Sequence, residues 1–193
     1  MTAPFDDVVL RILDESARLH VEAKAASLRP TVAAAEAMIA SLRAGGKVLV
    51  CGNGGSASDA QHFAAELVGR FERERRALAS IALTTDTSIL TALANDYSYT
   101  RVFARQVEAI GRRGDVLIGI STSGGSANVL EAFAVAKAAG LTTVALTGRD
   151  GGAVGASADI HINVPSPSTA RAQEVHRTLL HAVCELVERE LYA

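Results

Sequence analysis

Apolar positions along the chain fall into two regimes. From residue 5 to residue 26 they recur at helical spacing (Val8, Val9, Ile12, Leu13, Leu19, Val21), as on a helix face laid against a core. Pro30 follows Leu28-Arg29, and proline disfavours helix in the residue before it, so the chain is expected to break there. Residues 31–42 then read as a second helix, closed by Ala44-Gly45-Gly46. Beyond that point short apolar runs alternate with helical stretches. Strands are predicted at residues 47–51, 80–84, 116–120, 142–146 and 160–164. Helices are predicted at 58–71, 87–93, 102–110, 127–139 and 170–191. This alternation argues for parallel βαβ units with helices on both faces. The expected fold is α/β, a three-layer αβα sandwich on a five-stranded parallel sheet, with an N-terminal helical pair in residues 1–44. With no linker or low-complexity stretch, residues 1–193 are expected to form a single domain whose α/β core is 47–193.

Composition removes several classes of function. The chain has 193 residues, enough for one full core, is 49% hydrophobic, and has no Trp, which suits helices packed over a sheet. Lys plus Arg is 19 against 21 for Asp plus Glu, so no bulk charge points to nucleic acid or to an acidic membrane. Residues 70–76 carry four arginines and two glutamates and read as a solvated helix end. Cys51 ends an apolar run and Cys184 lies in the closing helix. Both are expected to be buried, reduced thiols, and they lack the number and spacing of a cysteine-based zinc site. The N-terminus shows no basic region followed by an apolar run, and no stretch is long and apolar enough to span a membrane. A cytoplasmic protein is expected.

In open parallel sheets, ligands collect outside the carboxyl ends of the strands. Two such ends carry unusual residues here. The first reads Gly52-Asn53-Gly54-Gly55-Ser56. It contains neither G-x-G-x-x-G nor G-K-[ST], which disfavours a nucleotide and favours a small phosphorylated ligand. The second, after residues 116–120, reads Ser121-Thr122-Ser123-Gly124-Gly125-Ser126 and leads into a helix. Free N–H groups at a helix start attract an anion, hydroxyls add donors, and glycines allow close approach. Read alone, the same residues also describe a Ser/Thr-rich cap and turn.

His62 and Glu66 lie four apart and share a helix face, which by itself is also the pattern of a surface contact. Gln173 and His181, eight apart, differ by about 80° around a helix axis and can face one cleft. His176 points elsewhere and reads as structural, and His161, in a strand, reads as a satisfied core or edge histidine. Asn95-Asp96, between two helical stretches, reads either as a turn with Asp96 as an N-cap or as part of a site. Arg70 either reaches an anionic ligand or caps the end of its helix.

Taken together, C-G-N-G-G-S-x-x-D-A-x-H-F-A-x-E-L (51–67), N-D (95–96), G-D-V-L-x-G-I-S-T-S-G-x-S-A-N (114–128), T-G-x-D-G-G (147–152) and Q-E-x-H (173–176) closely resemble the phosphoheptose isomerases of the SIS (sugar isomerase) fold. The resemblance runs in order over nearly the whole chain. It implies conversion of D-sedoheptulose 7-phosphate to D-glycero-D-manno-heptose 7-phosphate through a cis-enediol, the first step towards ADP- or GDP-heptose. It implies that Ser121, Thr122, Ser123 and Ser126 hold the phosphate, and that Asn53, Gly54, Gly55, Ser56, Asn95, Asp96 and Gln173 contact the sugar. Glu66 would be the base and His181 its acid partner, while His62, Glu66, Gln173 and His181 match positions that hold one Zn2+ per subunit. A homotetramer with sites between subunits is also implied, in which Arg70 and the N-terminal helices serve a neighbouring site. Residues 165–172 depart from the family in lacking acidic and aromatic residues, so a contact is expected to be missing there or replaced by Arg171. Non-catalytic SIS proteins, such as one that binds a replication initiator, share the glycine-rich loops but lose the acid–base pair. A regulatory SIS domain would need a DNA-binding domain that this length does not accommodate. Presence of both Glu66 and His181 favours the enzyme.

Overall fold

The structure is a computed structural model that describes residues 4–192. Its elements run α1 (Phe5–Arg43), β1 (Val48–Gly52), α2 (Gly55–Val68), β2 (Ser80–Ala82), α3 (Thr87–Asp96), a 3-10 turn (Tyr99–Arg101), α4 (Ala104–Ile110), β3 (Val116–Ser121), α5 (Ala127–Ala138), β4 (Thr142–Gly148), α6 (Gly152–Ser157), β5 (Ile160–Val164) and α7 (Thr169–Leu191). All five strands are parallel, in the order β2-β1-β3-β4-β5. β1 and β3 are buried along their whole length, which is why they read as unbroken apolar runs rather than alternating ones.

Successive residues point to opposite faces of the sheet. Val48, Val50, Ile118, Ile120, Val144 and Ile162 meet α1, α2 and α7 on one side. Leu49, Cys51, Leu117 and Ala145 meet α4, α5 and α6 on the other. Gly119 lets α5 approach β3 closely, since a Cβ there would stand 2.5 Å from Val129 and 2.6 Å from Phe133. Both cysteines are free and buried. No helix among the described residues is long and apolar enough to cross a membrane.

Four expectations are corrected. The N-terminal helical pair is one helix, with Pro30 inside it. Leu19, Ala23, Ser27, Thr31, Ala34, Ala35 and Met38 form a buried stripe on both sides of the proline, and this packing against α7 and β5 outweighs the local preference. Helix α2 begins at Gly55, earlier than residue 58, and ends at Val68, short of residue 71. The arginine-rich stretch lies beyond the helix and is mostly solvated, but Arg75 departs from that expectation. The Arg75 side chain is fully buried against Glu188 at 2.8 Å, and Glu188 also accepts the N–H groups of Phe71, Glu72 and Arg73. Arg75 in turn donates to the carbonyls of Glu66, Leu67, Gly69 and Arg76, which satisfies the open end of α2. Finally, α6 was not expected; six residues containing two glycines carry too little periodicity to show a helix.

Candidate active site

In the strand order found here, the chain changes direction across the sheet between β1 and β3, and that switch point is where such sheets hold ligands. The loops leaving β1 and β3 stand on either side of it. Gly54, at φ +57°, turns the first loop into α2, whose N-terminus has no side-chain cap. In the second loop the Ser121 Oγ lies 2.8 Å from Ser126 Oγ and 3.4 Å from Ser123 Oγ, and the Gly125 N–H donates to Ser123 Oγ at 3.2 Å. Ser126 begins α5 without bonding to it through its side chain. The hydroxyls therefore gather at an uncapped helix start, the arrangement an anion needs. Gly124, at φ +68°, seats this loop on the start of α6. A Cβ there would run into the Gly151 carbonyl, and the Val154 N–H donates to the Gly124 carbonyl at 2.9 Å. A reciprocal amide pair joins the two loops: Asn53 Nδ2 donates to Asn128 Oδ1, and Asn128 Nδ2 to Asn53 Oδ1, both at 2.9 Å.

Helices α2 and α7 run side by side in the same direction, with Gly55 beside Gln173, Asp59 paired to Arg177 at 2.6 Å, and His62 facing His181. The His62 and His181 Nε2 atoms are 2.8 Å apart, and His62 Nε2 is 3.4 Å from Glu66 Oε1. One ligating atom from each of the three lies within 4.8 Å of the others. Burial, then the neighbouring His62, push the His181 pKa down, against the pull of the Glu66 carboxylate. The Phe71 ring covers His181 with centroids 5.4 Å apart. Two imidazoles and a carboxylate converging on one point form a donor set suited to zinc. Gln173 stands further along the same groove. Its amide carbon would be 2.9 Å from a Cβ at Gly55, about two helical turns from His181.

The remaining expected positions divide. Ser56 is buried at the start of α2, and Thr122 lies in the second loop. Asn95 and Asp96 occupy the exposed last turn of α3 and bond to each other at 2.9 Å. Asp96 is not an N-cap; Asp86 is, accepting from the Ile89 N–H at 2.9 Å. Arg70 is exposed and lies 3.8 Å from Glu74. His176 and His161 are structural, as expected, bonding the carbonyl and the hydroxyl of Thr147 respectively. Arg171 does not turn towards the site. It donates to the Ile12 carbonyl and to Glu174, tying α7 to α1. Sequence reasoning missed Asn128, Tyr99 and the Asp59–Arg177 pair. Asn128 stood inside a quoted motif, but its partner Asn53 lies 75 positions away, so only the fold reveals the pairing.

The profile of the SIS domain family matches residues 13–148. A phosphoheptose isomerase of Neisseria meningitidis is 56% identical over 180 residues, covering 92% of this chain and 91% of that protein. One from Roseiflexus is 54% identical over 195 residues, covering 100% of this chain and 99% of its own. The solved structure of a phosphoheptose isomerase from Neisseria gonorrhoeae superposes with a TM-score of 0.92 at 51% identity, covering 96% of this chain and 100% of that one.

Proposed function

Because the chain belongs to the SIS domain family, and within it to the phosphoheptose isomerases, we propose that it converts D-sedoheptulose 7-phosphate to D-glycero-D-manno-heptose 7-phosphate with Glu66 as base and His181 as its acid partner. The convergence of His62, Glu66 and His181 where α2 and α7 face each other carries this reading. Ketose-to-aldose conversion moves a proton from C1 to C2 through a cis-enediol, and a second proton between the two oxygens. In this reading Glu66 takes the carbon-bound proton and returns it at the neighbouring carbon. His181, whose pKa burial holds down, carries the oxygen-bound one. Ser121, Thr122, Ser123 and Ser126, at the start of α5, bind the phosphate and thereby place C1 and C2 at Glu66. Asn53, Gly54, Gly55, Ser56, Asn95, Asp96 and Gln173 contact the sugar.

His62, Glu66 and His181 would hold one Zn2+, which would polarise the substrate carbonyl as a Lewis acid, and Gln173 would join them only after its side chain turns from Gly55 towards the cluster. Coordination by Glu66 would have to be loose or shared, because tight binding lowers its basicity. We place the enzyme in the cytoplasm as a single-domain homotetramer with sites between subunits. Exposed apolar residues support that assembly, among them Leu10, Leu13 and Val21 on α1 and Ile89 on α3, a helix with no buried residue.

The test is the rate of aldoheptose phosphate formation by the wild type, Glu66→Gln and His181→Ala, with and without a chelator. Each substitution is expected to lower the rate about 100- to 10,000-fold while leaving thermal unfolding nearly unchanged. A chelator-sensitive rate restored by zinc would support the metal. Undiminished activity in Glu66→Gln would remove Glu66 from the chemistry, and an inactive but well-folded wild type would favour a partner-binding SIS protein.

A further inference from the structure

We infer that Asn128 and Tyr99 are positioning residues that hold the Asn53 amide in place, so that Asn53 meets the substrate with one N–H free to donate. The inference rests on the isomerase reading above and extends it to residues that reading does not use. Three contacts carry it. Asn53 Oδ1 accepts from Asn128 Nδ2 at 2.9 Å and from the Tyr99 hydroxyl at 3.1 Å. Asn53 Nδ2 donates to Asn128 Oδ1 at 2.9 Å. A carbonyl-type oxygen has two lone pairs and an amide nitrogen two protons. The oxygen of Asn53 is therefore saturated by the protein, and one N–H is left for a ligand.

The lock is built to hold. Asn128 is 3% exposed in the first turn of α5 and meets its hydrogen-bonding need through both bonds to Asn53, so losing the pair would strand a polar atom in the interior. If Asn53 alone flipped, its nitrogen would face the Asn128 nitrogen and the Tyr99 hydroxyl, and its oxygen the Asn128 oxygen. Both amide contacts would then be like against like. Tyr99 closes the arrangement from the 3-10 turn on the far side of the first loop. Asn128 also starts the helix that follows the hydroxyl loop, so the pair spans the switch point and sets the sugar-side loop in register with the phosphate-side one. A fixed N–H suits this chemistry, because negative charge gathers on substrate oxygen in the enediolate and a preorganised donor stabilises it without having to reorient.

A mutant cycle tests this. Asn128→Ala is expected to lower kcat/KM about tenfold or more, and Tyr99→Phe by a few-fold, each with an unfolding midpoint close to the wild type. In an Asn53→Ala background neither change should cost much further, because the group they position is gone. Sugar phosphate affinity measured by calorimetry through the same cycle should show the same coupling. A purely structural Asn128 would cost the same factor in both backgrounds, and additive losses in rate and in affinity would overturn the inference. Should the wild type prove inactive, the isomerase reading fails, while the coupling in binding still decides the role of Asn128 and Tyr99.

Discussion

Burial opposes the charge on Glu188, yet three backbone N–H groups and the Arg75 guanidinium outweigh it and bring the carboxyl pKa down from 4.5 to about 2. A carboxylate whose folded pKa is depressed contributes stability above its unfolded pKa and loses it as the pH falls through the folded one. Its share, about 3 kcal/mol, is thus expected to be complete above pH 4.5 and to disappear towards pH 2. Urea titrations across that range should show the slope in the wild type. Glu188→Gln should flatten it and be less stable by several kcal/mol at pH 7, because Arg75 is left buried without its partner. An unchanged slope would mean that Glu188 is not the group that senses acid. At this scale the sequence was legible where chemistry is local. The spacing of His62 and Glu66 already placed them on one face, and the hydroxyls of the second loop already read as either an anion site or a Ser/Thr-rich cap and turn. It was silent on the Asn53–Asn128 pair and on Arg75 with Glu188, 113 positions apart, since both pairs exist only once distant elements meet.

Strands and helices were read most reliably where burial imposes a simple pattern. The runs at β1 and β3 stood out because both faces of these strands are covered. Pro30 misled because a local rule was applied to a helix whose stability is tertiary: Ser27 donates to the Asn163 carbonyl at 3.0 Å and Thr31 is buried on the same side. A proline inside a helix removes one backbone hydrogen bond and costs about 3 kcal/mol relative to alanine. Pro30→Ala is accordingly expected to stabilise the protein by roughly 1–3 kcal/mol in thermal or urea unfolding. Destabilisation would show instead that the packing of α1 on α7 and β5 depends on the ring. α6 escaped notice for the opposite reason, since glycines chosen for close approach to Gly124 and His161 erase helical periodicity.

For the whole molecule, the strand order places both candidate loops at one switch point, and the parallel run of α2 and α7 brings His62, Glu66 and His181 together further along those two helices. The proposed assembly would cover the exposed apolar residues of α1. Leu10→Glu with Leu13→Glu, both 59% exposed here, should yield a smaller species in sedimentation velocity and a large loss of activity. A variant that sediments like the wild type would place any subunit contact elsewhere. The most direct measurement of the central claim is an NMR time course of sedoheptulose 7-phosphate in D2O with the wild type and Glu66→Gln. Proton transfer by Glu66 through an enediol, with exchange between the Glu66 carboxyl and solvent while the enediol lasts, predicts aldoheptose phosphate carrying solvent deuterium in part of its C2 positions from the wild type and almost no product from the variant. No product from folded wild-type protein, with or without added zinc, would contradict the account.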